Sequence, residues 1–310
     1  MKEIVVNSNQ AGQRLDKLLK KVLDKSPSSF VYKMLRKKNI KLNDKKASGS
    51  EMLSKDDIIK IFLSDETFDK FSSYNSKSNE KRIEDEGFKR KITIIYEDDN
   101  VIILNKPAGL LVQSDKKNQY SLDGFVKDYI SSKDMGFSPG ICNRLDRNTS
   151  GIVIAGKSLA GLQKMSELIR ARDIKKIYIA LVDGVVKESG IIEKWMVKDR
   201  ENNKVSLFDK EVNNSKYSKT GYEPIKTDGE NTLLKIDLFT GRTHQIRSHL
   251  ASIGHPIIGD IKYGNQETKR RAKRQLLHAY SIVFPEMDGQ FGNLSGREFF
   301  AELPDDMKWI

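Results

Sequence analysis

Apolar residues recur at helical spacing near the start of the chain. From Leu15 to Leu23, leucine and valine return every three or four positions, which predicts an amphipathic helix. The stretch DKSPSS follows, where Pro27 ends this helix and the serines can cap a second one that carries Phe30 and Leu35 on its inner side. The pattern predicts a small unit in which two helices are followed by short strands.

The second part of the chain mixes strand and helix patterns. KITIIYEDDNVIILNKPAGLLVQ predicts two strands joined by a turn at residues 97–100, and IYIALVD and NTLLKIDLF also have strand character. One helix is predicted directly after Ser158, and another is predicted to have Thr243 as its cap and to stop at Gly254. Because no strand–helix–strand repeat persists, we expect an α+β fold with a mixed, largely antiparallel sheet.

The segment between these regions lacks a steady apolar period. SDETFDKFSSYNSKSNEKRIEDEGFKRK is rich in serine and in charge, which is typical of a linker. A chain of 310 residues is also long enough for two domains. We therefore expect a small N-terminal α/β unit at residues 1–63, a flexible charged linker at 64–91 and a larger domain at 92–310.

The composition is that of a basic protein. Lys and Arg total 55 against 43 Asp and Glu, which gives a formal net charge of +12 and favours a polyanionic partner, nucleic acid above all. No apolar run has the length of a bilayer span, and MKEIVVNSNQ does not look like a signal peptide, so we expect a cytoplasmic monomer without a membrane partner. The single cysteine, Cys142, and four scattered histidines predict neither a disulfide nor a metal site.

The outer side of the second predicted helix is strongly basic. Lys33, Arg36, Lys37 and Lys38 lie there, and residues 14–46 contain twelve Lys or Arg against three Asp. A merely solvated helix face usually mixes both signs, so this excess favours contact with RNA or DNA. RLDKLL, KMLRKKNIKLN and SKDDIIKIF resemble pieces of the small RNA-binding domain named after small-subunit ribosomal protein four. The resemblance implies that this unit presents its basic residues to structured RNA.

The stretch GIVIAGKS, residues 151–158, fits the phosphate-loop pattern G-x-x-x-x-G-K-[ST]. A phosphate loop follows a strand and curls its N–H groups around phosphates. Here the residues between the glycines are apolar and mostly β-branched, and they favour an extended, buried backbone. We therefore predict a core strand, followed by a helix with Ser158 as its N-cap, and not the ATP site of an RNA remodeller.

The stretch NRLDRNTSG, immediately upstream, places a carboxylate between two arginines. Arg144 and Arg147 would hold Asp146 ionised, and the turn-forming residues after it would expose it at the mouth of a buried strand. On spacing alone, a surface salt bridge is the alternative. Asp146 is therefore a candidate catalytic carboxylate.

Five stretches resemble the motifs of one enzyme family. NRLDRNTSGIVIAGKS is similar to the signature of the RluA-type pseudouridine synthases, which isomerise chosen uridines in RNA. NKPAGLLVQ, KKIYIALVDG, TGRTHQIRSHLASIGHPIIGD and RQLLHAYSIVFP resemble its other motifs, in family order, over roughly residues 90–300. Asn143 departs from the pattern, because family members commonly carry His there; the position lies outside the catalytic trio.

The resemblance implies that trio. Asp146 matches the catalytic aspartate, which acts on the ribose either as a nucleophile at C1′ or as a base at C2′. Tyr178 matches a tyrosine whose ring can stack on uracil with its hydroxyl near C5, although a tyrosine packed in the core is the alternative. Arg247 matches a basic residue that pairs with Asp146 and keeps it charged. The isomerisation involves no redox change, so no cofactor and no metal are expected.

Other residues in these motifs are candidate RNA ligands. Arg242, His244 and Gln245 would contact the RNA backbone or support the catalytic residues. The target uridine must leave its stack to reach Asp146, and Arg144 or Arg147 could fill the space that it vacates.

The resemblance leaves the substrate RNA open. Large-subunit ribosomal RNA or its precursor is the expected substrate, because it is the commonest one in the family, and tRNA is the alternative. A non-catalytic, ribosome-associated RNA-binding factor would suit the first unit. Such a factor would have no reason to hold Asp146, Tyr178 and Arg247 together in their motifs, so we expect an RNA-modifying isomerase.

Overall fold

The structure, a computed structural model, describes residues 1–72, 86–89, 91–114, 119–130, 137–199 and 204–308. The N-terminal unit has a four-stranded antiparallel sheet in the order β1-β4-β2-β3. Its elements are β1 (Lys2–Val5), α1 (Leu15–Val22), α2 (Ser28–Arg36), β2 (Ile40–Leu42), β3 (Lys45–Lys46), β4 (Ile58–Ile61) and α3 (Asp65–Phe71). The leucines of α1 are buried in one apolar core, as their spacing predicts. The serines of DKSPSS do not cap α2, because Pro27 itself occupies the N-cap position.

The beginning of the predicted linker belongs to this first unit. The Ser64 side chain accepts a hydrogen bond from the N–H of Thr67 and so caps α3. Phe68 is buried in the core of the unit, and the ring of Phe71 lies 4.4 Å from that of Phe30, centroid to centroid. The unit therefore extends to residue 72, beyond the predicted boundary at 63, because two aromatic side chains anchor an otherwise charged helix.

The rest of the predicted linker is described only at its far end. A short helix, α4 (Glu86–Lys89), is present there, and its Phe88 packs against the core of the following domain. Residues 73–85, where the predicted flexible tether would lie, are outside the described residues.

The larger domain is built on one sheet, which has eleven strands within the described residues. Nine follow the order β11-β10-β12-β13-β9-β14-β8-β6-β5, with β15 added to β14 and β7 added to β8. The strands are β5 (Thr93–Glu97), β6 (Val101–Lys106), β7 (Gly140–Ile141), β8 (Ser150–Gly156), β9 (Lys175–Asp183), β10 (Gly190–Asp199), β11 (Lys204–Phe208), β12 (Lys216–Thr227), β13 (Asn231–Leu238), β14 (Leu277–Val283) and β15 (Glu298–Phe300). Of the pairings described, only that of β14 with β8 is parallel, which confirms the predicted α+β class.

Four further helices and two 3-10 turns accompany this sheet among the described residues. They are α5 (Leu122–Ile130), α6 (Leu159–Ala171), α7 (Gln245–Ser252), α8 (Gln266–Arg271) and the 3-10 turns Gly289–Leu294 and Asp305–Met307. Within the part of the chain that the structure describes, no helix is long and apolar enough to cross a membrane.

The strand predicted inside GIVIAGKS is present. All seven residues of β8 are buried, and the Ser158 hydroxyl accepts a hydrogen bond from the N–H of Gly161 as the N-cap of α6. The backbone between the two glycines is therefore a core strand and not a phosphate-binding loop.

The predicted start of α7 is wrong by one residue. His244, not Thr243, is the residue before the helix, and it adopts a left-handed backbone with φ 56° and caps nothing with its side chain. A polar residue at Thr243 is the usual signal for a cap, but the left-handed turn at His244 redirects the chain before the helix begins. The helix ends before Gly254, as predicted.

Candidate active site

Asp146 lies in the turn that leads into β8. Its carbonyl accepts a hydrogen bond from the N–H of Thr149, which closes the turn, and its side chain is 28% exposed. Gly151, the second residue of the buried strand, has φ +109°, and a Cβ there would lie 2.2 Å from the carbonyl oxygen of Ala279 in β14. The close approach of the paired strands β8 and β14 thus requires glycine directly after the Asp146 turn.

Asn143, the departure from the family pattern, holds the other end of this turn. Its side-chain oxygen accepts from the N–H of Ile154 at 2.7 Å, and its amide nitrogen donates to the carbonyl of Ile152 at 3.3 Å. Asn143 therefore ties the turn to the backbone of β8 by a pair of hydrogen bonds.

Arg247 joins Asp146 to a second, fully buried carboxylate. Its Nη1 donates to Oδ2 of Asp146 at 2.7 Å, so the expected contact between these two residues is present. Its Nε and Nη2 donate to the two oxygens of Asp260 at 2.7 and 2.8 Å. Asp260 also accepts the backbone N–H groups of Lys262 and Tyr263, at 2.8 and 3.2 Å. The guanidinium is thus held from one side and presents one N–H to Asp146.

The charges in this cluster stabilise one another. Burial alone would lower the pKa of Arg247, but its hydrogen bonds and charge pairing with Asp260 and Asp146 raise that pKa above its ordinary value. Burial alone would raise the pKa of Asp260, but Arg247 and the two backbone N–H groups bring it below the ordinary 3.8. Both side chains are therefore charged at neutral pH.

Tyr178 lies on β9 in the apolar cluster that also contains Ile246 of α7. Ile179 belongs to the cluster on the opposite face, which agrees with the alternation of a strand. The tyrosine is buried, and burial together with the negative charge of Asp146 raises the pKa of its hydroxyl. The hydroxyl is therefore neutral at physiological pH, and the charge of Asp146 helps to keep it so.

His244 and Tyr263 complete the wall of the site. Nε2 of His244 lies 3.8 Å from Oδ2 of Asp146, and its Nδ1 lies 3.0 Å from the Tyr263 hydroxyl. The Tyr263 hydroxyl also accepts the N–H of Val205 at 3.0 Å, so it links the His244 ring to the start of β11. Burial first, and then the nearby Arg247 and Lys262 charges, lower the pKa of His244 against the opposing carboxylates.

Of the predicted RNA ligands, Gln245 does not face the substrate side. It is buried, and its side-chain oxygen accepts from the Thr240 hydroxyl and the Arg242 N–H. Its amide nitrogen donates to the Lys219 carbonyl and the Thr220 hydroxyl. These four hydrogen bonds use the whole amide, so Gln245 braces the loop before α7 and the predicted direct RNA contact does not fit.

The predicted arginines lie around the site but not in it. Arg144 is exposed and, within the described ranges, forms no ion pair or side-chain hydrogen bond. Arg147 is also exposed, and its Nε donates to the Gly109 carbonyl at 2.9 Å. Arg242 is half-buried and donates through Nε to the Tyr217 carbonyl at 3.3 Å. Arg144 and Arg147 thus remain placed on the solvent side of the Asp146 turn.

Lys106, in the stretch NKPAGLLVQ, was not among the residues predicted for the site. Its side chain is completely buried beneath the Asp146 turn, and its ammonium donates to the carbonyls of Pro107, Leu110 and Arg147 at 2.9, 2.9 and 3.1 Å. Burial and the charge of Arg274 lower the pKa of Lys106 to about 7, and the charge of Asp146 opposes that shift. The signal that could have revealed Lys106 is its place beside Pro107, in the motif-like stretch NKPAGLLVQ, at the end of a mostly buried strand.

The described residues contain no group of three or more His, Cys, Asp or Glu that could hold a metal ion. His244 and His249, two of the four histidines, have different surroundings: Nε2 of His249 is buried against the Ser218 hydroxyl at 2.9 Å. The basic side chains predicted on the first unit, Lys33, Arg36, Lys37 and Lys38, are all exposed at the end of α2.

Comparisons with known proteins agree with this fold. The family model for RNA pseudouridylate synthase matches residues 100–252, a range that contains Asp146, Tyr178 and Arg247. The chain is 34% identical to a protein of Rickettsia bellii named ribosomal large subunit pseudouridine synthase C, with 90% of this chain and 92% of that protein covered. It is 30% identical to a Vibrio vulnificus protein of the same name, with 90% and 87% covered.

A solved structure supports the fold. The human RNA pseudouridylate synthase domain containing 4 covers 71% of this chain and 91% of its own, with a TM-score of 0.58 and 21% identity. The fold and the sequence matches together define an RNA-modifying isomerase. The chain belongs to the RNA pseudouridylate synthase family.

Proposed function

We propose that this enzyme converts a specific uridine of large-subunit ribosomal RNA to pseudouridine, with Asp146 as its catalytic carboxylate and without a cofactor. The observation that carries the assignment is the arrangement of Asp146: a partly exposed carboxylate with one oxygen bound to the buried, doubly anchored Arg247. Within the described part of the chain, no hydrogen bond occupies its other oxygen, Oδ1. This oxygen is available to a ribose.

The reaction balances without an oxidant, a reductant or a second substrate. The N1–C1′ bond breaks, the uracil turns while it is held, C5 bonds to C1′, and the proton lost from C5 is matched by one gained at N1. Asp146 acts on the ribose, as a nucleophile at C1′ or as a base at C2′. Since the Tyr178 hydroxyl is neutral, it serves as a hydrogen-bonding or proton-relay group near C5 and not as a phenolate base.

The substrate RNA is inferred from the relatives. Proteins of Rickettsia bellii and Vibrio vulnificus that match most of this chain are named for the ribosomal large subunit. The basic end of α2 and the resemblance of residues 12–63 to the ribosomal-protein-four type of RNA-binding domain also suit a large structured RNA. A tRNA substrate is the alternative.

Pseudouridine mapping tests the proposal. Ribosomal RNA and tRNA from cells with and without this protein are compared, and the wild-type gene and an Asp146→Asn gene are returned separately to the deficient cells. We expect one or more uridines of large-subunit RNA to lose modification and to regain it only with the wild type. Loss confined to tRNA would replace the substrate, and no change in any RNA would refute the function.

A further inference from the structure

A groove opens beside the active site, between the hairpin of β10 and β11 and the loop that leads into α7. Its volume is about 700 Å³, and its wall includes Lys198, Val205, Lys216, Arg242 and Thr243. None of the catalytic trio lines it. The groove is therefore a separate surface next to the site.

Every ionisable side chain on this wall is a cation. Lys198, Lys216 and Arg242 have no carboxylate within ion-pair distance among the described residues. Neighbouring lysines of the same strands are neutralised, since Lys194 pairs with Asp209 and Lys219 with Glu193. Among the residues that the structure describes, the positive charge of the groove thus has no counterion.

Other basic residues strengthen this potential. Burial and the charge of Arg172 lower the pKa of Arg242, and the pKa of Lys262 is lowered by burial, by Arg247 and also by Lys204 at the start of β11. The Nε of Arg242 donates a hydrogen bond to the Tyr217 carbonyl, and in the described structure its two terminal nitrogens have no hydrogen bond. A bound anion would relieve the repulsion and use these donors.

A short chain of side-chain contacts leads from the wall of the groove to Asp146. The N–H of Val205, in its wall, donates to the Tyr263 hydroxyl, which contacts His244, and His244 lies 3.8 Å from Asp146. Arg242 precedes His244 by two residues. The loop that carries Arg242 and His244 therefore borders both the groove and the site of Asp146.

We propose that the groove binds the phosphodiester backbone of the RNA strand that flanks the flipped uridine. The inference rests on the proposed function, because it places a nucleotide at Asp146. A uridine taken out of its stack leaves its strand bent at that point, and the backbone on one side of it must be held. Lys198, Lys216 and Arg242 bind the phosphates electrostatically, so they contribute to RNA binding and not to the chemical step.

The test uses the full chain with Lys198 and Lys216 both changed to alanine. The matched control changes Lys187 and Lys226, two exposed lysines of the same domain that line no part of the groove. The probe is a synthetic stem-loop RNA with a single uridine, in its loop, made also as a series in which one phosphate at a time is a neutral methylphosphonate. Affinity is measured by fluorescence anisotropy over a range of salt concentrations, and single-turnover isomerisation is measured on the same RNA.

We expect the groove variant to bind at least threefold more weakly than the control, and its slope of log affinity against log salt to fall by about 0.7 for each phosphate that it no longer neutralises. One or two neutral linkages beside the uridine should weaken binding to the wild type and leave binding to the groove variant unchanged. Equal effects of every linkage on both proteins, or an unchanged salt slope, would overturn the proposal. The binding arm needs no turnover, so a wild type that binds through the groove but isomerises no uridine would refute only the proposed function.

Discussion

Asp146 has one oxygen bound to Arg247 and one left open, and this asymmetry is the basis of a residue-scale prediction. In Asp146→Asn, the amide oxygen can still accept the Arg247 N–H, so the fold and the shape of the site are kept. The charge that acts on the ribose is lost. We expect isomerisation to fall at least about 100-fold with RNA affinity changed little. Single-turnover assays and anisotropy on one RNA check this, and residual turnover near the wild-type rate would contradict the catalytic role.

The hydroxyl of Tyr178 is the basis of a second prediction at this scale, which concerns turnover and its pH dependence. Tyr178→Phe keeps the ring in its apolar cluster and removes only the hydroxyl, so we expect turnover to fall about 100-fold while the RNA still binds. Because burial and Asp146 raise the pKa of the hydroxyl above its ordinary 10, it stays protonated below that pH. A plot of the wild-type isomerisation rate against pH should therefore show no rise or fall caused by Tyr178 ionisation between pH 6 and about pH 10. A limb below pH 10 that disappears in Tyr178→Phe would show that the phenolate is the active form.

We expect Lys106 to stabilise the Asp146 turn and to take no part in the chemical step. Lys106→Met fills similar space but leaves the carbonyls of Pro107, Leu110 and Arg147 without their donor. Each buried acceptor that loses its partner costs about 1 kcal/mol or more, so we expect the free energy of unfolding to fall by about 3 kcal/mol and turnover to fall with the loosened Asp146 turn. Urea unfolding measures the first effect. Lys157→Met, at a half-buried lysine paired with Glu97, is the control, and an equal loss there would contradict the special role of Lys106.

At the scale of elements, α7 and the turn after Gly259 meet through Arg247 and Asp260. Gly259 has φ +77°, and a Cβ there would lie 1.9 Å from the Arg274 carbonyl oxygen, so the turn that aims Asp260 requires glycine. The carboxylate is fully buried and takes two N–H groups of its own turn besides the guanidinium. The orientation of Arg247 towards Asp146 is therefore set by the contact between two elements, and Asp260 is a positioning residue.

Asp260→Asn should therefore change the free energy of unfolding, the kinetic constants and the pH dependence of stability. Removing one partner of a buried pair leaves Arg247 uncompensated, and we expect a loss of about 3 kcal/mol at pH 7, with kcat reduced more than KM is raised. The pKa of Asp260 is lowered in the folded protein, so its stabilisation is present above the ordinary 3.8 and is lost as pH falls through the lower folded value.

The difference in unfolding free energy between wild type and Asp260→Asn should therefore be steady from pH 7 to about pH 5 and shrink below about pH 4. Urea unfolding at several pH values checks it. Asp209→Asn, which removes one partner of an exposed pair with Lys194, should change stability much less than Asp260→Asn does, because solvent screens that pair. A pH-independent loss in Asp260→Asn would mean that the charge of Asp260 is not what stabilises the site.

The elements also show what the sequence could predict. Periodic segments such as α1, α6, β9 and β13 were predictable, because burial of one face or one strand leaves a local pattern. The contacts of the site were less so: Arg247 and Asp146 are 101 residues apart, and the Lys106 ammonium reaches the carbonyl of a residue 41 positions away. The first contact was expected only through a family resemblance. The second was not predicted, because lysine is seldom buried and its place in NKPAGLLVQ does not by itself indicate burial.

At the scale of the whole molecule, two cationic surfaces are expected to share the RNA. The groove beside Asp146 would hold the strand next to the target uridine, and the end of α2 in the first unit would hold RNA elsewhere. Since affinity for RNA depends on the number of phosphates that are neutralised, each surface contributes its own part of the salt dependence. The groove belongs to the larger domain and the end of α2 to the first unit, so the two surfaces can be altered separately by experiment.

The separating experiment removes residues 1–72, the whole first unit with its helix α3, and not residues 1–63, which would leave Phe68 and Phe71 exposed without their core. The larger domain keeps Asp146, Tyr178 and Arg247, so we expect it to isomerise a minimal stem-loop at a saturating concentration. Binding to the full RNA should weaken, and the slope of log affinity against log salt should flatten by roughly 0.7 to 0.9 for each phosphate that the first unit had neutralised.

A full-length variant with Lys33, Arg36, Lys37 and Lys38 changed to glutamine is the matched control for this deletion. Glutamine keeps the helix and removes only the charge, so this variant should reproduce most of the change in slope. If the deletion leaves the slope unchanged, the basic end of α2 is only a solvated surface. If the charge variant binds like the wild type while the deletion does not, the first unit contributes through other residues. If the folded deletion variant turns over no substrate at saturation, the first unit is part of the active site.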